Sequence, residues 1–224
     1  LHAQQVDIVP GAAGGPKGIG IQGLDQAIFG DFFAQAPQRR TLIGSSIGSW
    51  RFASILAWGA KEGTERLSHL YTNLSFHKKM SRQEVAQICQ DMLIDLIQGQ
   101  EQQLIDHPDY HLAVISIKAQ HIFQSDLALP LIASVAGIIG SNALGRKHNR
   151  LFMQRVISQP SSGQQFKVED DFVTHYQSLN RDNAIPWLMA SASIPGVMSA
   201  IRDIPDAPKG SYRDGGLIDY HIDL

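Results

Sequence analysis

Gly44-Ser45-Ser46-Ile47-Gly48 is a G-x-S-x-G set, the arrangement that presents a serine hydroxyl for attack on a carbonyl. A serine on a sharp strand-to-helix turn needs small residues at both flanks, because side chains there would collide with the helix and the adjoining strand. Gly44 and Gly48 meet that need for Ser46, whereas Ser45 and Ser49 lack the flanking pair. A hydroxyl is a weak nucleophile at its own pKa, so it requires a base and a place for negative charge to develop. Gly11-Ala12-Ala13-Gly14-Gly15-Pro16-Lys17-Gly18 offers the second. Its glycines free backbone N–H groups to face an anion at a helix N-terminus. A dinucleotide fingerprint would need glycine in place of Ala13, and the Lys-Ser/Thr of a Walker loop is absent. An oxyanion hole, worth about 3 kcal/mol per donor in such sites, and a plain tight turn are the readings left. Asp214-Gly215-Gly216, after Tyr212-Arg213, places a carboxylate at the end of a strand, with glycines that let another chain approach closely. Taken singly, Asp-Gly-Gly is an ordinary hairpin signal.

These groups are set between elements that the apolar pattern defines. Val6–Val9 reads as a strand entering the glycine loop, and Ile21–Phe33 as an amphipathic helix on three- and four-residue spacing. Thr41–Ile43 and Trp50–Ala60 repeat the order strand, turn, helix around Ser46. Leu67–Leu74 and Glu84–Ile97 are helical by period, the second opened by the capping box Ser81/Glu84. Leu112–Ile117 and Phe152–Ile157 read as buried strands, Trp187–Ala192 as a helix that stops before Pro195, and Tyr212–Ile218 as strand then turn. Alternation of this kind argues for an α/β layered fold with a largely parallel sheet.

The 224 residues, 43% hydrophobic and 18% charged, suffice for one well-buried domain over 1–224. A net charge of −2 supplies no global basic field, which argues against nucleic acid as a partner. Cys89 is the only cysteine, so an internal disulfide framework is excluded, and a reducing, cytoplasmic setting is the expectation. Seven of the histidines, His69, His77, His107, His111, His121, His148 and His175, show no metal-ligand spacing, and neither metal nor cofactor is expected. Leu127–Gly145 runs for 19 residues without a charge. Pro130, Ser134, Gly137, Gly140, Ser141 and Asn142 dilute its apolarity, and at about 1.5 Å per residue it would only just cross a ~30 Å hydrocarbon core. A buried or interfacial helix within the fold is the better reading, a lid or membrane-contacting segment the alternative, with Arg146, Lys147, His148 and Arg150 behind it as a solvated basic turn or a headgroup contact.

The order glycine loop, G-x-S-x-G and Asp-Gly-Gly resembles the patatin-like phospholipase family over Val6–Asp223. Ala190-Ser191-Ala192-Ser193-Ile194-Pro195-Gly196-Val197 is similar to the small-residue and proline block that the family carries ahead of its catalytic aspartate. The resemblance implies a three-layer α/β/α sandwich with a mainly parallel central sheet. It implies Ser46 as nucleophile, Asp214 as the other member of a Ser-Asp dyad, and the N–H groups of Gly14 and Gly15 as oxyanion hole. Lys17 matches the basic residue of that loop, and Gly18, Gly44, Gly48, Gly215 and Gly216 support the site. The activity implied is hydrolysis of a lipid carboxylic ester, phospholipid or lysophospholipid, with peripheral membrane contact. Two departures stand out: Ala13 replaces the usual first glycine, which is tolerable at negative φ, and the chain ends at Leu224 soon after Asp-Gly-Gly. C-terminal elements or internal loops outside the sequence are therefore expected.

Two other chemistries fit the same serine. A Ser-acid-His triad would use His221, which follows every candidate acid as the α/β-hydrolase order demands and would serve an esterase or an acyltransferase. A lipid-binding module could keep the motif without turnover.

Overall fold

The computed structural model describes residues 2–170, 172–220 and 222. Six strands form one sheet: β1 (Ile8–Gly11), β2 (Arg40–Ser45), β3 (Tyr110–Ala119), β4 (Met153–Gln159), β5 (Thr174–Ser178) and β6 (Tyr212–Asp214). They lie in the order β1-β2-β3-β4-β5, with β6 paired to β3. The pairs β1/β2, β2/β3 and β4/β5 are parallel, while β4 and β6 run antiparallel to β3. With the seven α-helices among the described residues, this is an α/β fold on a mostly parallel sheet.

β3 is the strand on which the rest is organised. β2 pairs with Tyr110–Ile115 and ends at Ser45 opposite Ile115. β6 takes up the ladder at the next residue, with Asp214 opposite Ser116. Because β4 spans Val114–Ala119, overlapping both, β2 and β6 share the other edge of β3. The register thus places the end of β2 and the end of β6 at neighbouring positions on one edge.

The alternation of a strand's side chains divides the core into two faces. Leu42, Leu112, Val114 and Val156 point to the side covered by α2 (Ile47–Trp58), α4 (Arg82–Ile97) and α7 (Ala184–Ser191), where Trp50, Leu93 and Trp187 are buried. Ile43, Ala113, Ile115 and Ile157 point the other way, onto Phe166 and Ile222. Farther along that face, Ile117, Ala119 and Met153 meet Phe123, Phe172 and Leu131 of α6 (Ala128–Leu144). Among the described residues no helix is long and apolar enough to cross a membrane.

Two expectations need correction, and one strand carries no sequence signal. The helix read over Ile21–Phe33 is α1 (Gln22–Gln26) between a 3-10 turn, Gly15–Ile21, and a π-helical turn, Ala27–Phe32. The reason lies in Asp25, which is buried and takes Arg51 of α2 bidentately at 2.8 and 2.5 Å, while Ile21 and Leu24 face solvent. An ion pair, not an apolar stripe, sets the phase of this segment. The second helix begins at Ile47 rather than Trp50 and ends at Trp58, where Gly59, at φ 81°, turns the chain into α3 (Ala60–Thr72). β5 was not expected, because it is half exposed and its His175, Tyr176 and Gln177 carry no apolar alternation. The Ser81/Glu84 capping box is present: Glu84 N–H donates to Ser81 Oγ at 3.2 Å and Ser81 N–H to Glu84 Oε2 at 2.7 Å.

Candidate active site

β2 runs into α2 with a single residue between them, Ser46, at φ 53° and ψ −128°. For a residue with a Cβ this backbone is strained by about 1–3 kcal/mol, and it persists only where the surroundings hold it. They do so from three sides. Ser46 N–H donates to the Ser191 carbonyl at 3.0 Å and to Ser191 Oγ at 2.9 Å. Ser191 Oγ donates in turn to the Ile115 carbonyl at 2.5 Å, and Ser49 Oγ donates to the Ser46 carbonyl at 2.7 Å. A Cβ on Gly44 would lie 2.6 Å from Ser49 N, and one on Gly48 would lie 2.1 Å from the Gly11 carbonyl oxygen. Both flanking glycines are therefore demanded by backbone contacts, as the turn geometry requires.

The contact at Gly48 brings the end of β1, and with it the glycine loop, against the serine turn. Gly14 (φ 138°) and Gly15 (φ 54°) adopt left-handed conformations that L side chains resist, and Gly15 opens a 3-10 turn. Among the described residues their two N–H groups donate to no protein acceptor. Ala13, the departure from the glycine-rich pattern, is absent from the residues with positive φ, and its N–H donates to the Tyr220 carbonyl at 2.6 Å. Gly18 packs on the serine turn from below: a Cβ there would meet Ile47 at 2.8 Å. Lys17 is exposed and lies outside the pocket described below.

Asp214 ends β6 beside Ser116 and is buried. Its Oδ1 accepts the Gly216 N–H at 2.6 Å, and the Ser46 hydroxyl approaches the same carboxyl as a donor. Burial pushes its pKa up to about 6 from 3.8, against the two donors, which pull it down. A Cβ on Gly215 would strike the Ile115 carbonyl oxygen at 2.3 Å, and one on Gly216 would meet the Ala13 methyl at 2.8 Å. Asp-Gly-Gly is tight because the loop and β3 close on it.

One segment ties the three motifs together. Ser45 Oγ donates to the Asp219 carbonyl at 2.7 Å, while the neighbouring Tyr220 carbonyl takes the Ala13 N–H. The Asp219 carboxylate accepts Arg155 Nε at 2.6 Å and Nη2 at 3.2 Å, and Arg155 also grips Asp170 at 2.7 and 3.0 Å. These hydrogen bonds and the two carboxylates hold the Arg155 guanidinium charged against the burial that opposes it. Neither Arg155 nor Asp219 has a motif around it, and Ser191 was only one small residue in its block.

Ser46 and Gly15 open into a cavity of about 320 Å³. Its walls come from α2 (Ile47, Trp50), α3 (Tyr71), α4 (Val85, Cys89) and the loop after α7 (Ile194, Val197, Met198). Tyr71 and Cys89 are the polar side chains among them besides Ser46, and burial pushes the Cys89 thiol up to about 11. No described histidine lines the cavity. His221 lies outside the described residues.

Comparisons with protein-family models, with curated proteins and with solved structures find no match for this chain. A strained, buried serine that lines an apolar cavity, a buried carboxylate beside it and free N–H groups at the same point are the parts needed for acyl transfer through a covalent serine intermediate.

Proposed function

We propose that this chain is a serine acyl-ester hydrolase of the patatin-like phospholipase type. The observation that carries the reading is the register on β3: Ser45, just before the serine turn, lies opposite Ile115, and Asp214 lies opposite Ser116. Helices on one face of the sheet and α6 on the other fit the three-layer α/β/α sandwich of that family. In this reading the acyl chain of a phospholipid or lysophospholipid ester lies in the apolar cavity and its carbonyl carbon sits at Ser46 Oγ.

Asp214 takes the hydroxyl proton as Oγ bonds to the carbonyl carbon, and the oxyanion that forms is held by the Gly14 and Gly15 N–H groups. Collapse breaks the bond to the alcohol oxygen, which leaves with the proton from Asp214. Water then attacks the acyl-serine, Asp214 takes a water proton, and the fatty acid departs as the proton returns to Ser46. A carboxylate at its ordinary pKa is a feeble base, and desolvation that raises Asp214 to about 6 brings it nearer the working pH. The apolar cavity beside it both seats the acyl chain and keeps water from re-solvating the carboxylate.

The test is intact-mass labelling with a fluorophosphonate, run on the unaltered chain and on Ser46→Ala, Asp214→Asn and His221→Ala. We expect one adduct, lost in Ser46→Ala and in Asp214→Asn, retained in His221→Ala, and formed faster as pH rises through about 6. Loss of labelling in His221→Ala would replace the dyad by a triad. No adduct on the unaltered chain would refute the hydrolase reading in favour of a module that binds lipid without turnover.

A further inference from the structure

α6 is built inside out. Its inner side carries Leu131 with the small polar Ser134, which is fully buried and donates to the Pro130 carbonyl at 2.7 Å. Its outer side carries Leu129 (80% exposed), Ile132 (65%), Val135 and Ile139 (67%). The exposed positions between them on this side are alanine and glycine, and no charged residue interrupts the stripe. A helix that faces water normally carries its polar residues outward, so the pattern calls for a covering medium that is not water.

The position and charge of the stripe decide which medium. The helix has 17 residues, about 26 Å at ~1.5 Å each, and leaves the sheet at the same end as the pocket. Asp126, just ahead of it, is bound through its carbonyl by Arg82, whose Nε also donates to the Gly196 carbonyl at 3.2 Å. Gly196 lies between Ile194 and Val197, which line the pocket and are themselves half exposed. The start of α6 is thus one side chain from the pocket wall. Exposed basic residues stand close in sequence to both parts of the apolar surface: Lys78 and Lys79 just after the pocket residue Phe76, and Lys147 and Arg150 just after α6. Exposed apolar side chains accompanied by exposed cations match a surface of acyl chains under anionic headgroups. Among the described residues no helix is long and apolar enough to cross a membrane, and an apolar stripe along the outer side of α6 suits a helix that lies on the surface.

From this we infer that α6 and the adjoining pocket rim form a docking face for an anionic lipid surface, with the pocket mouth turned toward the bilayer. The role of the face in catalysis rests on the hydrolase reading above, while the docking itself does not. The experiment is flotation of the Ser46→Ala protein with vesicles of phosphatidylglycerol and phosphatidylcholine, against phosphatidylcholine alone. We expect at least tenfold more protein on the anionic vesicles. Adding Ile132→Glu and Ile139→Glu should lower that binding at least tenfold without moving the melting temperature, since both side chains stand in solvent. With Ser46 intact, the same pair should abolish turnover of an ester embedded in vesicles and leave turnover of a soluble short-chain ester unchanged. Binding that the pair leaves unaltered, or absence of binding to anionic vesicles, would overturn the inference. So would a dimer in sedimentation that the pair converts to monomer, which would assign the face to a second copy of this chain. If no ester is turned over while flotation behaves as expected, the hydrolase reading fails and the docking face stands.

Discussion

Replacing Asp214 by asparagine should abolish serine reactivity and stabilise the fold at neutral pH. The carboxyl's pKa is pushed up to about 6 in the folded chain, whereas an unfolded chain holds it near 3.8. A gap of about 2, at about 1.4 kcal/mol each, means that ionised Asp214 lowers stability by about 3 kcal/mol. The sign follows from proton uptake. Between pH 3.8 and about 6 the folded state holds the proton that the unfolded state has lost. The contribution of neutral Asp214 is therefore complete below the lower value, declines through the window and is gone above the upper one. Asparagine keeps the oxygen that accepts the Gly216 N–H and never ionises. Thermal melts of both proteins should coincide near about pH 4, diverge as pH rises and hold a constant gap above about pH 6.5, the variant melting higher. For a chain of this size the ceiling on that gap is roughly 6–12 °C. A variant that melts lower at about pH 8, or a gap indifferent to pH, would refute the claim that burial dominates this carboxyl.

Three further outcomes follow from the same contacts. Gly48→Ala would place a methyl carbon 2.1 Å from the Gly11 carbonyl oxygen and 2.9 Å from that of Ala12. Urea titration should show it destabilised by about 1–3 kcal/mol or more, with fluorophosphonate labelling lost, whereas Gly20→Ala, with open space around it, should stay close to the parent. Arg155→Met removes the cation from buried Asp219, and denaturant titration should show a loss of about 3–5 kcal/mol, accompanied by slower labelling because the segment holding Ser45 and Ala13 loosens. Cys89, with its thiol up at about 11, should resist iodoacetamide in the folded protein and react on unfolding; rapid alkylation of the native chain would contradict its burial.

Much of the scaffold is legible because local chemistry and tertiary placement agree. Gly44 and Gly48 predict a turn that backbone contacts do require, and Ser81 with Glu84 predicts a cap that forms. Leu112–Ile117 reads as a buried strand because it is buried on both faces, and β3 is buried along almost its whole length. Legibility fails where long-range partners decide. Asp25 turns inward only because Arg51 is there to meet it, and β5 forms on the template of β4 without an apolar signal of its own. Ser191, Arg155 and Asp219 act on the site through carbonyls and charges far away in sequence, so no spacing could have marked them. Leu127–Gly145 has a composition that announces a helix, yet which side faces inward depends on where Ser134 and Leu131 find space against the sheet.

The geometry also explains why the candidate site needs an antiparallel strand inside a mostly parallel sheet. At Ser46 the chain leaves the sheet for α2, so the ladder along that edge of β3 stops at Ile115. A buried carbonyl left there without a donor would cost about as much as a lost hydrogen bond. Ser191 Oγ supplies that donor, and the same hydroxyl accepts the Ser46 N–H, so satisfying the strand end and holding the strained turn are one interaction. The next positions on the edge, Ser116 to Lys118, need a new partner, and β6 provides it. A parallel strand there would enter from the far end of the sheet and collide with β2. An antiparallel one enters from beyond the strand end and terminates against the serine turn, which leaves its last residue, Asp214, facing Ser46. A single-residue slip of β6 on β3 would send the carboxylate to the opposite face of the sheet, and Gly215, with no room for even a Cβ against the Ile115 carbonyl, fixes the register against that slip.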